Sequence, residues 1–144
     1  MHFCLLDRII ERSDDRIVTI KQVTASEEYL QDHFPAFPVL PGVFMVESLV
    51  QAGRALLAHR PESAAQRMVL GGVRAVKYGS FVRPGETLRV EVTLAKANPD
   101  GTFDLKGEGT VIRPSTAGAA GGAAGEDPQV AVSGRFTLRP IRLE

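Results

Sequence analysis

The sequence contains little of what stabilises secreted proteins or anchors membrane proteins. Cys4 is the one cysteine among 144 residues, so no disulfide can form within the chain. There is no run of about 20 apolar residues, and no N-terminal segment in which basic residues precede an apolar stretch. These absences predict a protein of the reducing cytoplasm that does not insert into a membrane.

Net charge is also absent, because 17 basic residues balance 17 acidic ones. Nucleic-acid binding requires a broad positive field, so we expect no nucleic-acid partner and only local patches for any acidic partner. Potential metal ligands are sparse as well. His2 and Cys4 are close in sequence but lie at the terminus, and we expect neither a metal site nor a cofactor.

The hydrophobic pattern predicts one helical turn at 26–31, one long helix at 43–57 and several strands. Strand-like alternation occurs in six segments: 5–11, 16–24, 67–78, 87–96, 103–113 and 129–139. The long helix is apolar around most of its circumference, which is typical of a helix enclosed by protein. We therefore expect an α+β fold, a curved antiparallel sheet wrapped around one buried helix, in a single domain spanning 1–144.

A low-complexity insert separates the last two predicted strands. Residues 114–128 consist largely of alanine and glycine between two prolines. Such a composition buries little apolar surface and is typical of a hairpin loop without a packed structure.

The segment before the long helix carries the clearest functional signal. Pro35, Pro38 and Pro41 fall within seven positions, and each fixes its own φ and disfavours helix in the residue before it. The sequence therefore predicts a rigid extended loop that carries His33 to a helix start at Pro41-Gly42.

The long helix has few polar side chains, and three of them share one face. Glu47, Gln51 and Arg54 follow one another at the spacing i, i+4, i+7. A charged glutamate inside an enclosed helix would cost several kcal/mol, so Glu47 should be neutral, paired or functional. The alternative, a narrow solvated stripe, is equally compatible with the spacing.

The segment resembles the signature of the β-hydroxyacyl-(acyl carrier protein) dehydratases of type II fatty acid synthesis. That signature runs His-Phe-Pro-Gly-x-Pro-x-x-Pro-Gly and continues into a helix that carries Glu and Gln. The signature residue is present at eight positions: His33, Phe34, Pro35, Pro38, Pro41, Gly42, Glu47 and Gln51. Segments 5–9, 70–73 and 82–88 also resemble the family. The chain departs from it at Ala36, at 79–81 and in the missing N-terminal helix.

The resemblance implies a hotdog fold and the dehydration of (3R)-3-hydroxyacyl-acyl carrier protein to the trans-2-enoyl product. It implies that His33 is the base and Glu47 the acid. The substrate contacts that it implies are Phe34, Pro41, Gly42 and Gln51. It also implies a homodimer whose His and Glu come from different subunits, and it leaves open whether three dimers assemble further.

These residue types suit the reaction. Dehydration needs a base for the C2 proton, an acid for the departing hydroxyl and a donor for the thioester oxygen. Histidine titrates near neutral pH, and a carboxyl group enclosed by apolar groups stays protonated there. The helix start at Gly42 offers unpaired N–H groups, and Gln51 can hold the carboxyl of Glu47 by a hydrogen bond.

Two other functions remain open. A thioesterase of the same fold needs a carboxylate on the helix but not a histidine fourteen residues earlier, so the pair His33 and Glu47 favours dehydration. A non-catalytic acyl-binding protein is compatible with the departures at 79–81 and at the N-terminus. If an acyl carrier protein docks, its acidic surface needs local cations. The candidates are Arg54, Arg74, Lys77 and Arg83.

Overall fold

The computed structural model describes residues 3–64, 66–114 and 128–142. Its elements are β1 (Arg8–Arg12), β2 (Arg16–Gln22), α1 (Leu30–His33), α2 (Gly42–Leu57), β3 (Met68–Tyr78), β4 (Thr87–Ala97), β5 (Phe103–Ile112) and β6 (Gln129–Pro140). The predicted sheet and long helix are confirmed. The first strand begins three residues later than predicted, and the helical turn lies at 30–33 instead of 26–31. His2 and residues 115–127 of the predicted loop lie outside the described residues.

The six strands form one antiparallel sheet in the order β1-β2-β4-β5-β6-β3. Side chains of β4 and β5 alternate between buried and more exposed positions, as expected of a sheet that covers a core on one face. Strands β1 and β3 are the two edges. The order leaves β3, the strand that directly follows the helical region, at the edge beside β6.

Helix α2 packs across one face of the sheet, against β2, β4, β5 and β6. Two glycines allow the close approach. A Cβ atom at Gly107 of β5 would lie 3.0 Å from a methyl carbon of Leu49, and one at Gly53 would lie 3.0 Å from the ring of Phe136. The absence of these side chains lets the helix backbone and the sheet come into direct contact, which sets the position of everything else on α2.

The far side of α2 is only partly covered within a single chain. Val43 is 67% exposed, and Phe44, Val46 and Glu47 are only partly buried. The sheet covers one side of the helix, and a short N-terminal segment covers part of the other. Apolar surface is therefore left uncovered at the start of α2.

The edge strand β3 also leaves apolar side chains exposed, among them Leu70, Val73 and Tyr78. Its pairing with β6 is interrupted by two irregularities, and Ala75 at the second of them has a positive φ of 52°. A positive φ costs a non-glycine residue free energy, and a bulge increases the local twist of the strand. Within the described part of the chain, the outer side of β3 pairs with no other strand.

The contact between α2 and the sheet predicts that substitution of Gly53 costs more stability than substitution of Gly72. We expect Gly53→Val to lower the free energy of unfolding by about 1–3 kcal/mol, because the added methyls overlap Phe136 and Leu105. The better helix propensity of valine offsets less than about 0.5 kcal/mol of this. Urea denaturation measures the change. Gly72→Val is the matched control, since a Cβ there would meet no heavy atom within 4 Å. Equal losses for both variants would contradict the close approach at residue 53.

Candidate active site

His33 ends a one-turn helix and does not belong to an extended loop, which corrects the sequence prediction. The bend comes one residue later, because Phe34 precedes a proline and is extended (φ −138°, ψ 95°). The N–H of Phe37 donates to the carbonyl of Phe34 (2.9 Å), and the N–H of Leu40 donates to the carbonyl of Val82 (2.8 Å). The segment after His33 therefore forms a turn, and a backbone hydrogen bond joins its end to the connection that follows β3.

A cavity of about 190 Å³ lies between this segment, the start of α2 and the end of β3. His33, Phe34 and Gly42 line it, as do Tyr78 and Phe81. The His33 ring is exposed and lies 4.4 Å from the Phe34 ring, measured between centroids. The structure thus joins a titratable imidazole, a mostly apolar cavity and a helix N-terminus.

The start of α2 has donors without acceptors. Pro41 is buried, and its carbonyl accepts hydrogen bonds from the N–H groups of Phe44 (2.9 Å) and Met45 (3.1 Å). No side chain caps the helix. Among the described residues, the N–H groups of Gly42 and Val43 have no hydrogen-bond acceptor. These groups and the positive end of the helix dipole can stabilise negative charge on an oxygen atom.

Glycine at position 42 also meets a packing requirement. A Cβ atom there would lie 2.8 Å from Cε1 of the Tyr78 ring. Glycine therefore allows the Tyr78 ring to lie directly against the helix start, where both residues line the cavity.

Glu47, Gln51 and Arg54 form one connected cluster on α2. Nε2 of Gln51 donates to Oε1 of Glu47 (3.1 Å), and Nη1 of Arg54 lies 3.6 Å from the same oxygen. The predicted hydrogen bond between Gln51 and Glu47 is confirmed. The expected apolar enclosure of Glu47 is not, because its side chain is 36% exposed within one chain. Glu47 thus contacts the other two side chains on the side of α2 that the sheet does not cover, and all three remain partly exposed to solvent.

The two predicted catalytic side chains do not share a cavity in one chain. Glu47 does not line the cavity that contains His33. Glu47 lies five positions after Gly42, which at 3.6 residues per turn places the two about 140° apart around the helix. The cavity lies at the Gly42 side, so Glu47 and Gln51 face elsewhere.

The N-terminal segment lies over the face that carries Gln51. The Gln51 amide accepts from the N–H of Leu5 (2.8 Å) and donates to the carbonyl of Phe3 (3.0 Å). The Phe3 ring also packs against the rings of Tyr29 and Phe44. The Tyr29 hydroxyl is buried without a hydrogen-bond partner in the described chain, and this burial raises its pKa. The segment therefore fixes the Gln51 amide and covers part of the open side of α2.

The four candidate docking cations have different surroundings: Arg54, Arg74, Lys77 and Arg83. Arg54 forms an ion pair with Glu47 on the same helix. Nη2 of Arg74 lies 3.8 Å from a carboxylate oxygen of Asp104. The guanidinium of Arg83 lies 5.1 Å from the centroid of the Phe37 ring. The lysine is exposed and makes no ion pair within the described part of the chain.

Sequence reasoning missed Tyr78 and Phe81 as cavity residues. Both side chains are more than half exposed, at 56% and 54%. Phe81 also contacts Phe37 edge to face, at a centroid distance of 5.4 Å. A signal was present, because both aromatics flank a Gly-Ser pair at the end of a strand, where no core position is expected.

Among the residues that the structure describes, no group of three or more His, Cys, Asp and Glu side chains is arranged to hold a metal ion. No helix in the described ranges has the length and apolar character needed to cross a membrane.

Comparison with known proteins identifies the class. Residues 9–115 match the ApeI-like family, described as ApeI dehydratase. The 3-hydroxyacyl-(acyl-carrier-protein) dehydratase FabZ of Lactococcus lactis subsp. cremoris is 39% identical over 116 residues, which cover 73% of this chain and 81% of the relative. FabZ of Oenococcus oeni is 46% identical over 93 residues, which cover 64% of this chain and 67% of that one.

The solved structure of the dehydratase heterocomplex ApeI:P from Xenorhabdus doucetiae has the same fold. It superimposes with a TM-score of 0.70 at 22% identity and covers 96% of this chain and 84% of that chain. The chain belongs to the ApeI-like dehydratase family and is related to the FabZ dehydratases. The resemblance drawn from the sequence is confirmed, and a dehydratase is favoured over a thioesterase or an acyl-binding protein.

The hydrogen bonds of Gln51 predict a local effect. We expect Gln51→Met to lower the free energy of unfolding by about 1–2 kcal/mol, because the N–H of Leu5 and the carbonyl of Phe3 lose their partner. Hydrogen exchange at the Leu5 amide should accelerate. Gln66→Met at an exposed position is the control and should change neither quantity. An unchanged Leu5 exchange rate in the Gln51 variant would show that the amide does not hold the segment.

Proposed function

We propose that this chain removes water from (3R)-3-hydroxyacyl groups carried on an acyl carrier protein and forms the trans-2-enoyl thioester. The observation that carries the proposal is the cavity that joins His33 to the uncapped start of α2. The names of the FabZ relatives, which specify 3-hydroxyacyl-(acyl-carrier-protein) substrates, support the substrate class.

In the proposed reaction His33 accepts the proton from C2 of the acyl group. The electron pair of that C–H bond forms the C2–C3 double bond, and the C3–O bond breaks. Glu47 donates its proton to the departing hydroxyl, which leaves as water. Negative charge that develops on the thioester oxygen is stabilised by the N–H groups at Gly42. Phe34 and Pro41 border the path of the acyl chain, and Gln51 holds the acid.

A second copy of the chain completes the proposed site. One copy brings His33 to the cavity but leaves Glu47 on another side of α2. The uncovered side of that helix and the exposed edge of β3 provide apolar surface for a partner. In a symmetric dimer each surface occurs twice, so two equivalent sites form, each with His33 of one copy and Glu47 of the other. Enclosure by the partner also supplies the apolar surroundings that Glu47 lacks in one copy.

This arrangement predicts complementation. In a hydration assay with a crotonyl thioester, read as loss of ultraviolet absorbance, we expect His33→Ala and Glu47→Gln each to lower kcat roughly a hundredfold or more. A mixture of the two variants should recover up to about a quarter of the wild-type rate, because half of the dimers are mixed and each mixed dimer holds one intact site.

The control is each variant mixed with itself, with subunit exchange verified by mass spectrometry. Wild-type turnover by His33→Ala would contradict the proposed base. Loss of activity without recovery in verified mixed dimers would place each site within one chain. A purified chain that stays monomeric would contradict the homodimer and favour a non-identical partner, as in the ApeI:P heterocomplex.

Carrier docking is proposed at the cations beside the cavity. Arg83 lies over Phe37, which contacts the cavity residue Phe81. An anionic carrier that binds at Arg83 would bring its acyl group close to His33. Lys77, next to Tyr78 on β3, is the second candidate.

We therefore expect Arg83→Glu to raise KM for a carrier-linked substrate, more strongly at low salt, and to leave small thioesters unaffected. Steady-state kinetics on both substrates at two ionic strengths measure the effect. Arg8→Glu, at the opposite edge of the sheet, is the matched control. Equal losses on both substrates would show damage inside the site, and no loss on either would exclude Arg83 from docking.

A further inference from the structure

The two oxygens of the Glu47 carboxyl have different surroundings. Oε1 accepts a hydrogen bond from Nε2 of Gln51 (3.1 Å) and lies 3.6 Å from Nη1 of Arg54. Oε2 makes no hydrogen bond or ion pair with any residue in the described ranges. Oε1 therefore accepts one hydrogen bond and lies beside a positive charge, while Oε2 has no partner among the described residues.

The Gln51 amide that contacts Oε1 is itself restrained, and Arg54 has few other partners. The Gln51 amide is bonded to the backbone of Phe3 and Leu5, so its Nε2 cannot turn away without losing those bonds. The Nε atom of Arg54 is buried and has no hydrogen-bond partner in the described chain. Among the described residues, Glu47 is the sole ionic partner of this guanidinium.

We propose that Arg54 is a positioning residue for Glu47, which reserves Oε2 for the proton that goes to the leaving hydroxyl. An oxygen that accepts from an amide and lies beside a guanidinium charge is a poor site for a proton, so the acidic hydrogen is placed on the other oxygen. This inference rests on the proposed role of Glu47 as the acid.

The same contact acts during the proton transfer. When Oε2 gives up its proton, the carboxyl becomes a carboxylate, and the positive charge of Arg54 beside Oε1 stabilises it. The interaction is stronger in the transition state than in the substrate complex, so it raises kcat and has little effect on substrate binding. An arginine with only a structural role would not affect kcat selectively in this way.

The proposal predicts a graded series. We expect Arg54→Met, which keeps an unbranched apolar stem but removes the charge, to lower kcat roughly tenfold with KM within about twofold. Arg54→Lys should recover part of the loss because it keeps the charge. Arg67→Met is the matched control: Arg67 borders the same surface groove as Arg54 but makes no ion pair with Glu47, and the rate should not change. Circular dichroism and thermal unfolding establish that each variant folds.

A double variant separates this inference from the proposed function. In a Glu47→Gln background, Arg54→Met should cause no further loss, since its effect passes through the carboxylate. An undiminished loss in that background, or wild-type kcat in Arg54→Met alone, would overturn the positioning role while Glu47 remains the acid. A Glu47→Gln variant with wild-type turnover would instead overturn the proposed function, and the positioning role with it.

Discussion

The packing of α2 against the sheet is the constraint on which the rest of the structure depends. Gly53 and Gly107 remove side chains where Phe136 and Leu49 need space, so helix and sheet meet without a gap. That contact sets the rotation of α2 about its axis. The rotation in turn places Gly42 at the cavity and Glu47 on the open side of the helix, because positions along a helix are related by a constant turn per residue.

The open side of α2 connects structure with function. A buried glutamate would need a partner for its charge, and within one chain Glu47 has Gln51 and Arg54 together with partial access to solvent. The same face carries uncovered apolar surface at Val43 and Phe44. In a single chain the Glu47 carboxyl is therefore oriented but not enclosed. A second copy of the chain would supply the missing enclosure.

The family and the architecture could be read from the sequence, because both depend on local patterns. Alternating hydrophobicity located the strands, and the three prolines before an apolar stretch located the start of α2. Corrections arose where the outcome depends on neighbours far along the chain. The helix ending at His33 extends into the segment predicted as loop, and the cavity lining gained Tyr78 and Phe81 from a distant strand and its connection.

The sequence by itself determined which chemical groups are available: an imidazole fourteen residues before a carboxyl, a glycine at a helix start, and a glutamine one turn beyond the acid. Spacing along a helix is local, so the contact between Gln51 and Glu47 followed from it. Only the tertiary structure decided that the Arg54 guanidinium lies beside the same Glu47 oxygen that accepts from Gln51, and that His33 and Glu47 face different sides of α2. Those relations depend on how the sheet, the N-terminal segment and the helix pack together, and no short stretch of sequence encodes that packing.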